Sequence, residues 1–197
     1  MPIKMADSSK IVLPSIHLIS EAKTRLENLI SIILNNEKAI NPNKWFHCYT
    51  YLTVNQGVVW KGKSQRNPGA HFDGMQGNRY PYKSPVCHQY LVASAAPTIY
   101  WPGPFDFSQL DPNKHNFFLE CDRQKVNQIC TTAEPNTLYL QTAYDVHESP
   151  IVKKTTFRTF IRVEFSMKKF NRIGNTENPD LPTGWTYEDQ PIPAHLI

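Results

Sequence analysis

The apolar period of this chain changes once, near Trp45, from helical to extended, and that change constrains the fold more than any other feature. Before it, Ala22, Leu26, Leu29, Ile30 and Ile33 recur at helical spacing. Ser20 is a credible N-cap and Glu21 sits in the first turn, where the helix dipole favours a carboxylate. The pattern predicts one amphipathic helix over 21–38, ended by Asn41, Pro42 and Asn43. Residues 1–19 read as an irregular lead-in with a short apolar stretch at Ile16, Leu18 and Ile19.

After Trp45 the period is two. Strands are expected at 46–54, with 58–60 as a continuation, and at 70–73, 86–93, 98–101, 137–143 and 155–165. Asn67-Pro68-Gly69, Pro102-Gly103-Pro104 and Glu134-Pro135-Asn136 break the chain between them. Residues 105–122 form a long mixed connection, 124–131 fit either a strand or one helical turn, and 171–197 read as a Pro-rich tail draped over the domain. One helix followed by seven or eight short strands predicts a mainly β fold with helical support, a sandwich or barrel of the jelly-roll kind.

A length of 197 residues is enough for a single domain, with its strand core over about 45–168. Sixteen prolines against eight glycines, with 12% aromatics, favour strands and turns over a helical bundle. The net charge of +4 is mild and the cations are scattered, so nucleic acid is not an expected partner. Two small basic clusters, Lys61 and Lys63 with Arg66, and Lys168 and Lys169 with Arg172, read as solvated loop charges. The four cysteines show no CxxC spacing, which argues against a structural zinc site. No signal-peptide layout and no apolar run of membrane-spanning length is visible. The expectation is a cytoplasmic protein with reduced thiols and no membrane partner.

Chemistry concentrates in three places. In His71-Phe72-Asp73 the first and third residues share one face of an extended chain, so an imidazole and a carboxylate stand side by side while Phe72 turns into packing. His147 follows a second apolar run. The stretch 157–165 alternates, with Phe157, Thr159, Ile161, Val163 and Phe165 on one face and Arg158, Phe160, Arg162 and Glu164 on the other. Two arginines on one strand face suit a dicarboxylate ligand, because a guanidinium fork pairs with a carboxylate through two parallel hydrogen bonds. A salt-bridged exposed face with Glu164 as partner is the plainer account of the same strand. Two histidines and one carboxylate leave positions open on a metal, an arrangement that suits ferrous iron. No HExxH is present to supply the general base of a zinc hydrolase.

These residues resemble the iron(II)- and 2-oxoglutarate-dependent dioxygenases, whose HxD…H…R motif reads here as His71, Asp73, His147 and then Arg158 with Arg162. The resemblance implies a double-stranded β-helix, or jelly roll, behind an N-terminal helix. It implies that His71, Asp73 and His147 hold Fe(II), and that an arginine anchors the distal carboxylate of 2-oxoglutarate, with Arg158 preferred and Arg162 close behind. It also implies that Tyr90 contacts the co-substrate, as in prolyl-hydroxylase-like members. Asp73 is retained, which favours hydroxylation over halogenation. The loop 74–85 supplies Met75, Arg79 and Tyr80 as candidate substrate contacts. Trp45, Tyr49, Tyr51, Tyr100 and Trp101 are available as aromatic lining. The implied reaction consumes O2 and 2-oxoglutarate and hydroxylates a small molecule, an amino acid or a peptide side chain, releasing succinate and carbon dioxide.

Two competing readings remain at this level. One is a cupin-like metalloenzyme that does not use 2-oxoglutarate, with His88 or His115 as an added ligand. The other is a jelly-roll binding module without catalysis.

Overall fold

Helix α1 (Ser20–Ile40) follows two short strands, β1 (Ile3–Asp7) and β2 (Lys10–Ile11), and precedes seven more elements of sheet and one helix. These are β3 (Tyr49–Val59), β4 (His88–Ala93), β5 (Ile99–Tyr100), α2 (Phe117–Gln124), β6 (Thr131–Thr132), β7 (Tyr139–Thr142), β8 (His147–Glu148) and β9 (Thr156–Ser166). The structure, a computed structural model, describes residues 3–7, 10–11, 20–66, 68–78, 83–173 and 175–189, and only the backbone of residues 3–20 within that range and of Ala22. The fold is mainly β, with two helices and two antiparallel sheets. Among the described residues no helix is long and apolar enough to cross a membrane.

The larger sheet has the order β2-β1-β3-β9-β4-β7 and the smaller one β6-β5-β8. The last strand, β9, therefore lies in the middle of the larger sheet. It pairs along its whole length with β3, from Tyr49 opposite Ser166 to Val59 opposite Thr156, and on its other side with β4. The alternation read from β9 holds in space. Val163 and Phe165 face α1, together with Leu52 and Tyr90, and meet Leu26, Ile30 and Ile33 of the helix stripe. Full burial of each such aliphatic side chain is worth roughly 1.5–3 kcal/mol. Arg158, Phe160, Arg162 and Glu164 face the other way, and Phe160 packs with Leu91 and Ala93 of β4.

Glu37 sits at the end of the helix stripe with no exposed surface. Its carboxylate accepts from Tyr90 Oη at 3.0 Å and Asn41 Nδ2 at 2.9 Å, and lies 2.9 Å from His88 Nδ1. A buried carboxylate needs such partners, and here they clasp α1 to β4.

Several expectations need correction. Residues 3–7 and 10–11, read as irregular, pair as strands on the open edge of β3. An exposed edge recruits a partner whatever the intrinsic preference of the recruit. The apolar stretch at Ile16, Leu18 and Ile19 lies outside the described residues. The expected strand at 70–73 is only a single bridge at His71. Part of the mixed connection is helical: Asn116 caps α2 by accepting from the backbone N–H groups of Phe118 and Leu119. Residues 45–47 form a 3-10 turn before β3 rather than its start. The tail folds back on itself, with Arg172 bridging Glu188, and sets the Trp185 ring 5.1 Å from that of Tyr49.

Candidate metal centre

His71 and His147 form a hydrogen-bonded antiparallel pair. The His71 N–H donates to the His147 carbonyl at 3.0 Å, and the His147 N–H returns a bond of 2.8 Å. Residues paired in this way project their side chains to the same face, and the two imidazole centroids are 4.7 Å apart. Asp73, two residues on, joins them: ligand atoms of His71, Asp73 and His147 all lie within 4.8 Å of one another. Phe72 turns away and is buried with Ala70, Trp101, Phe117, Cys121 and Val146.

The two rings are oriented alike. His71 Nδ1 lies 2.8 Å from the Gly69 carbonyl, and His147 Nδ1 lies 2.9 Å from the Asp145 carbonyl. A carbonyl oxygen only accepts, so each Nδ1 carries the proton and each Nε2 keeps a free lone pair. This is how metal-binding imidazoles are usually held. Burial lowers the pKa of His147 despite the pull of Asp73, which favours the neutral, ligating form. The Phe118 ring of α2 lies 4.5 Å from that of His71. Asp122 of the same helix accepts from the Ala70 N–H at 3.1 Å, which fixes the approach to His71.

Asp73 is held from the larger sheet. Gln89 of β4 donates to its Oδ2 at 3.0 Å, and Arg162 of β9 lies 3.3 Å from the same oxygen. Burial alone would raise its pKa, but the two imidazoles when protonated, the Arg162 charge and the Gln89 bond hold it well below the usual carboxylate range. Gln89 is itself positioned by Gln141 of β7, which donates to its Oε1 at 2.7 Å. Beyond Arg162 lies Glu164 at 3.6 Å, which accepts from Cys87 Sγ at 3.4 Å. Burial pushes up the pKa of both Glu164 and the Cys87 thiol. After Asp73 the Tyr144 ring packs directly on the backbone of Gly74, where a Cβ would stand 2.6 Å from the ring.

Asp73, Gln89, Cys87, Arg162 and Glu164 all line one cleft of about 280 Å³. Met75 lines a second cavity of about 480 Å³ with Phe72, Trp101, Phe105 and Phe107, so it packs away from the Asp73 cleft. Arg79 and Tyr80 lie outside the described residues.

Two of the other expected residues are placed differently. Tyr90 faces α1 and bonds Glu37, because it alternates with Gln89 on β4 and the helix stands on the far side of the sheet. The Tyr90 hydroxyl therefore lies on the helix side of the sheet, and Gln89 occupies the inward position. Of the two arginines of β9, Arg162 is the one that reaches the triad, 3.3 Å from Asp73. Arg158 is 2% exposed, and its guanidinium donates to the carbonyls of Ala95 and Ala96 and to Gln65. His88 is taken by Glu37. His115 bonds within its own loop at Asp111, and neither adds to the triad. Of the candidate aromatics, Tyr100 pairs with His147 across β5 and β8, and its hydroxyl is buried. Tyr51 instead bonds the Lys168 carbonyl. Gln89 escaped the sequence reading because a single glutamine on a strand carries no motif.

No family model matches this chain, and neither does any curated protein or solved structure.

Proposed function

We propose that this chain is an Fe(II)- and 2-oxoglutarate-dependent dioxygenase that hydroxylates an unactivated C–H bond of a small molecule, an amino acid or a peptide side chain. The observation that carries the reading is the donor set. Two imidazoles with their Nδ1 protons tied to carbonyls, and one ionised carboxylate, converge within 4.8 Å beside the Arg162 guanidinium. The set has the composition that suits ferrous iron with open coordination positions. The proposed architecture is a jelly roll, a reading supported by the two antiparallel sheets. A cytoplasmic setting accords with four cysteines that are all free.

His71, Asp73 and His147 would hold the iron. When bound, iron with 2-oxoglutarate and dioxygen supplies the oxidation of C–H to C–OH, with succinate and carbon dioxide as the other products. The chain's own groups do the positioning. Gln89 and Gln141 fix the Asp73 carboxylate. Arg162 supplies a guanidinium on the cleft wall with which a co-substrate carboxylate would pair. Phe118 covers one side of the His71 ring.

The test is anaerobic titration of metal-free protein with Fe(II) and then 2-oxoglutarate. A visible metal-to-ligand charge-transfer band, lost in His71→Ala, is expected. Iron binding without the band points to a cupin-like metalloenzyme, and failure to bind iron overturns the reading.

A further inference from the structure

Arg66 of the first basic cluster and all three cations of the second meet at one place. Arg66, from the loop after β3, and Lys168, Lys169 and Arg172, from the segment after β9, line the cleft of about 280 Å³ that also carries Asp73 and Arg162. Five cations thus face it against two carboxylates, Asp73 and Glu164. Both carboxylates are already engaged by Arg162, at 3.3 and 3.6 Å. Among the described residues no carboxylate stands within ion-pair distance of Arg66 or Arg172. Lys169 rests over the Trp185 ring, its Nζ 5.7 Å from the ring centre, which leaves its charge available to an anion. Burial and the neighbouring Arg162 charge lower the pKa of Arg66, against the pull of Asp73. Like charges gathered round a concave site raise the local concentration of anions and bind them.

We propose that this cleft binds the oxyanion of a small anionic substrate, a carboxylate or phosphate group held by Arg66, Lys169 and Arg172. Its size is at the lower end of ligand pockets and accommodates a small anionic group. Calling the ligand a substrate rests on the dioxygenase reading, because Asp73 opens into the same cleft.

The experiment is calorimetric titration of the zinc-loaded protein, saturated with 2-oxoglutarate. The probes are glycerol 2-phosphate and N-acetylglutamate, with glycerol as the uncharged control. One of the two anions is expected to bind while glycerol does not, and which one binds separates a phosphate from a carboxylate substrate. Arg66→Gln, an exposed loop change, and Lys169→Gln with Arg172→Gln should each weaken that binding about ten-fold or more. The affinity for 2-oxoglutarate should stay within about two-fold of wild type. Binding of neither probe, or equal binding by the variants, overturns the proposal. So does loss of 2-oxoglutarate affinity in Arg66→Gln, which would make Arg66 a co-substrate residue. If neither metal nor 2-oxoglutarate binds, the dioxygenase reading fails by itself. The same titration on metal-free protein then still decides whether the cleft is an anion site.

Discussion

His71 and His147 exchange both backbone hydrogen bonds, at 3.0 and 2.8 Å, although no regular strand surrounds His71. Two residues far apart in sequence are thereby locked in register, and their imidazoles meet because paired residues share a face. Asp73 completes the cluster from the larger sheet's side through Gln89 and Arg162.

Removing either imidazole should abolish the site. His71→Ala and His147→Ala are expected to lower bound iron from about one equivalent to the background of metal-free protein, read by elemental analysis after gel filtration. Retention of iron by both variants would sink the assignment of the triad.

Gln89 should matter almost as much as a ligand. Gln89→Ala frees the Asp73 carboxylate to rotate and should weaken metal binding roughly 10–100-fold while leaving the ligands in place. Competitive titration against a chromophoric chelator measures this, and an unchanged affinity would show that Asp73 is oriented by Arg162 alone.

The two arginines of β9 should separate cleanly. Arg162→Gln is expected to lose 2-oxoglutarate binding while still taking up metal. Arg158→Leu leaves the Ala95 and Ala96 carbonyls and Gln65 without their donor. It should cost about 2–5 kcal/mol of stability in denaturant titration. The opposite pattern, with co-substrate binding lost in Arg158→Leu at unchanged stability, would restore Arg158 as the anchor.

Tyr90→Phe should leave metal and co-substrate affinities unchanged. It takes one donor from the buried Glu37 carboxylate and is expected to lower stability by about 2 kcal/mol. Parallel chemical denaturation and 2-oxoglutarate titration would reveal any role at the site.

Thiol chemistry offers a check on the packing. Cys48, Cys87 and Cys121 are buried and Cys130 is exposed. Burial raises the pKa of Cys48 and Cys87 and pushes that of Cys121 up to about 12, so at pH 8 each of the three carries less thiolate than an ordinary cysteine. A disulfide reagent should therefore modify one thiol of the native protein rapidly and the remaining three only on unfolding. Rapid modification of two or more would contradict the burial.

The helix stripe, the alternation of β9 and the placement of its two arginines on one face were readable from the sequence, because each depends on local periodicity that side chains must obey wherever the element packs. The residues of the candidate triad were readable as well, since His71 and Asp73 are near neighbours on an extended chain. Tertiary structure alone decided the rest. It determined which face of β4 looks inward, and so exchanged Tyr90 for Gln89, because the position of α1 is not encoded in that strand's pattern. It drew residues 3–7 onto the open edge of β3. It also set Arg162, and not Arg158, beside Asp73, and brought Arg66 and Arg172 to one cleft, because the folding of distant segments sets which side chains converge.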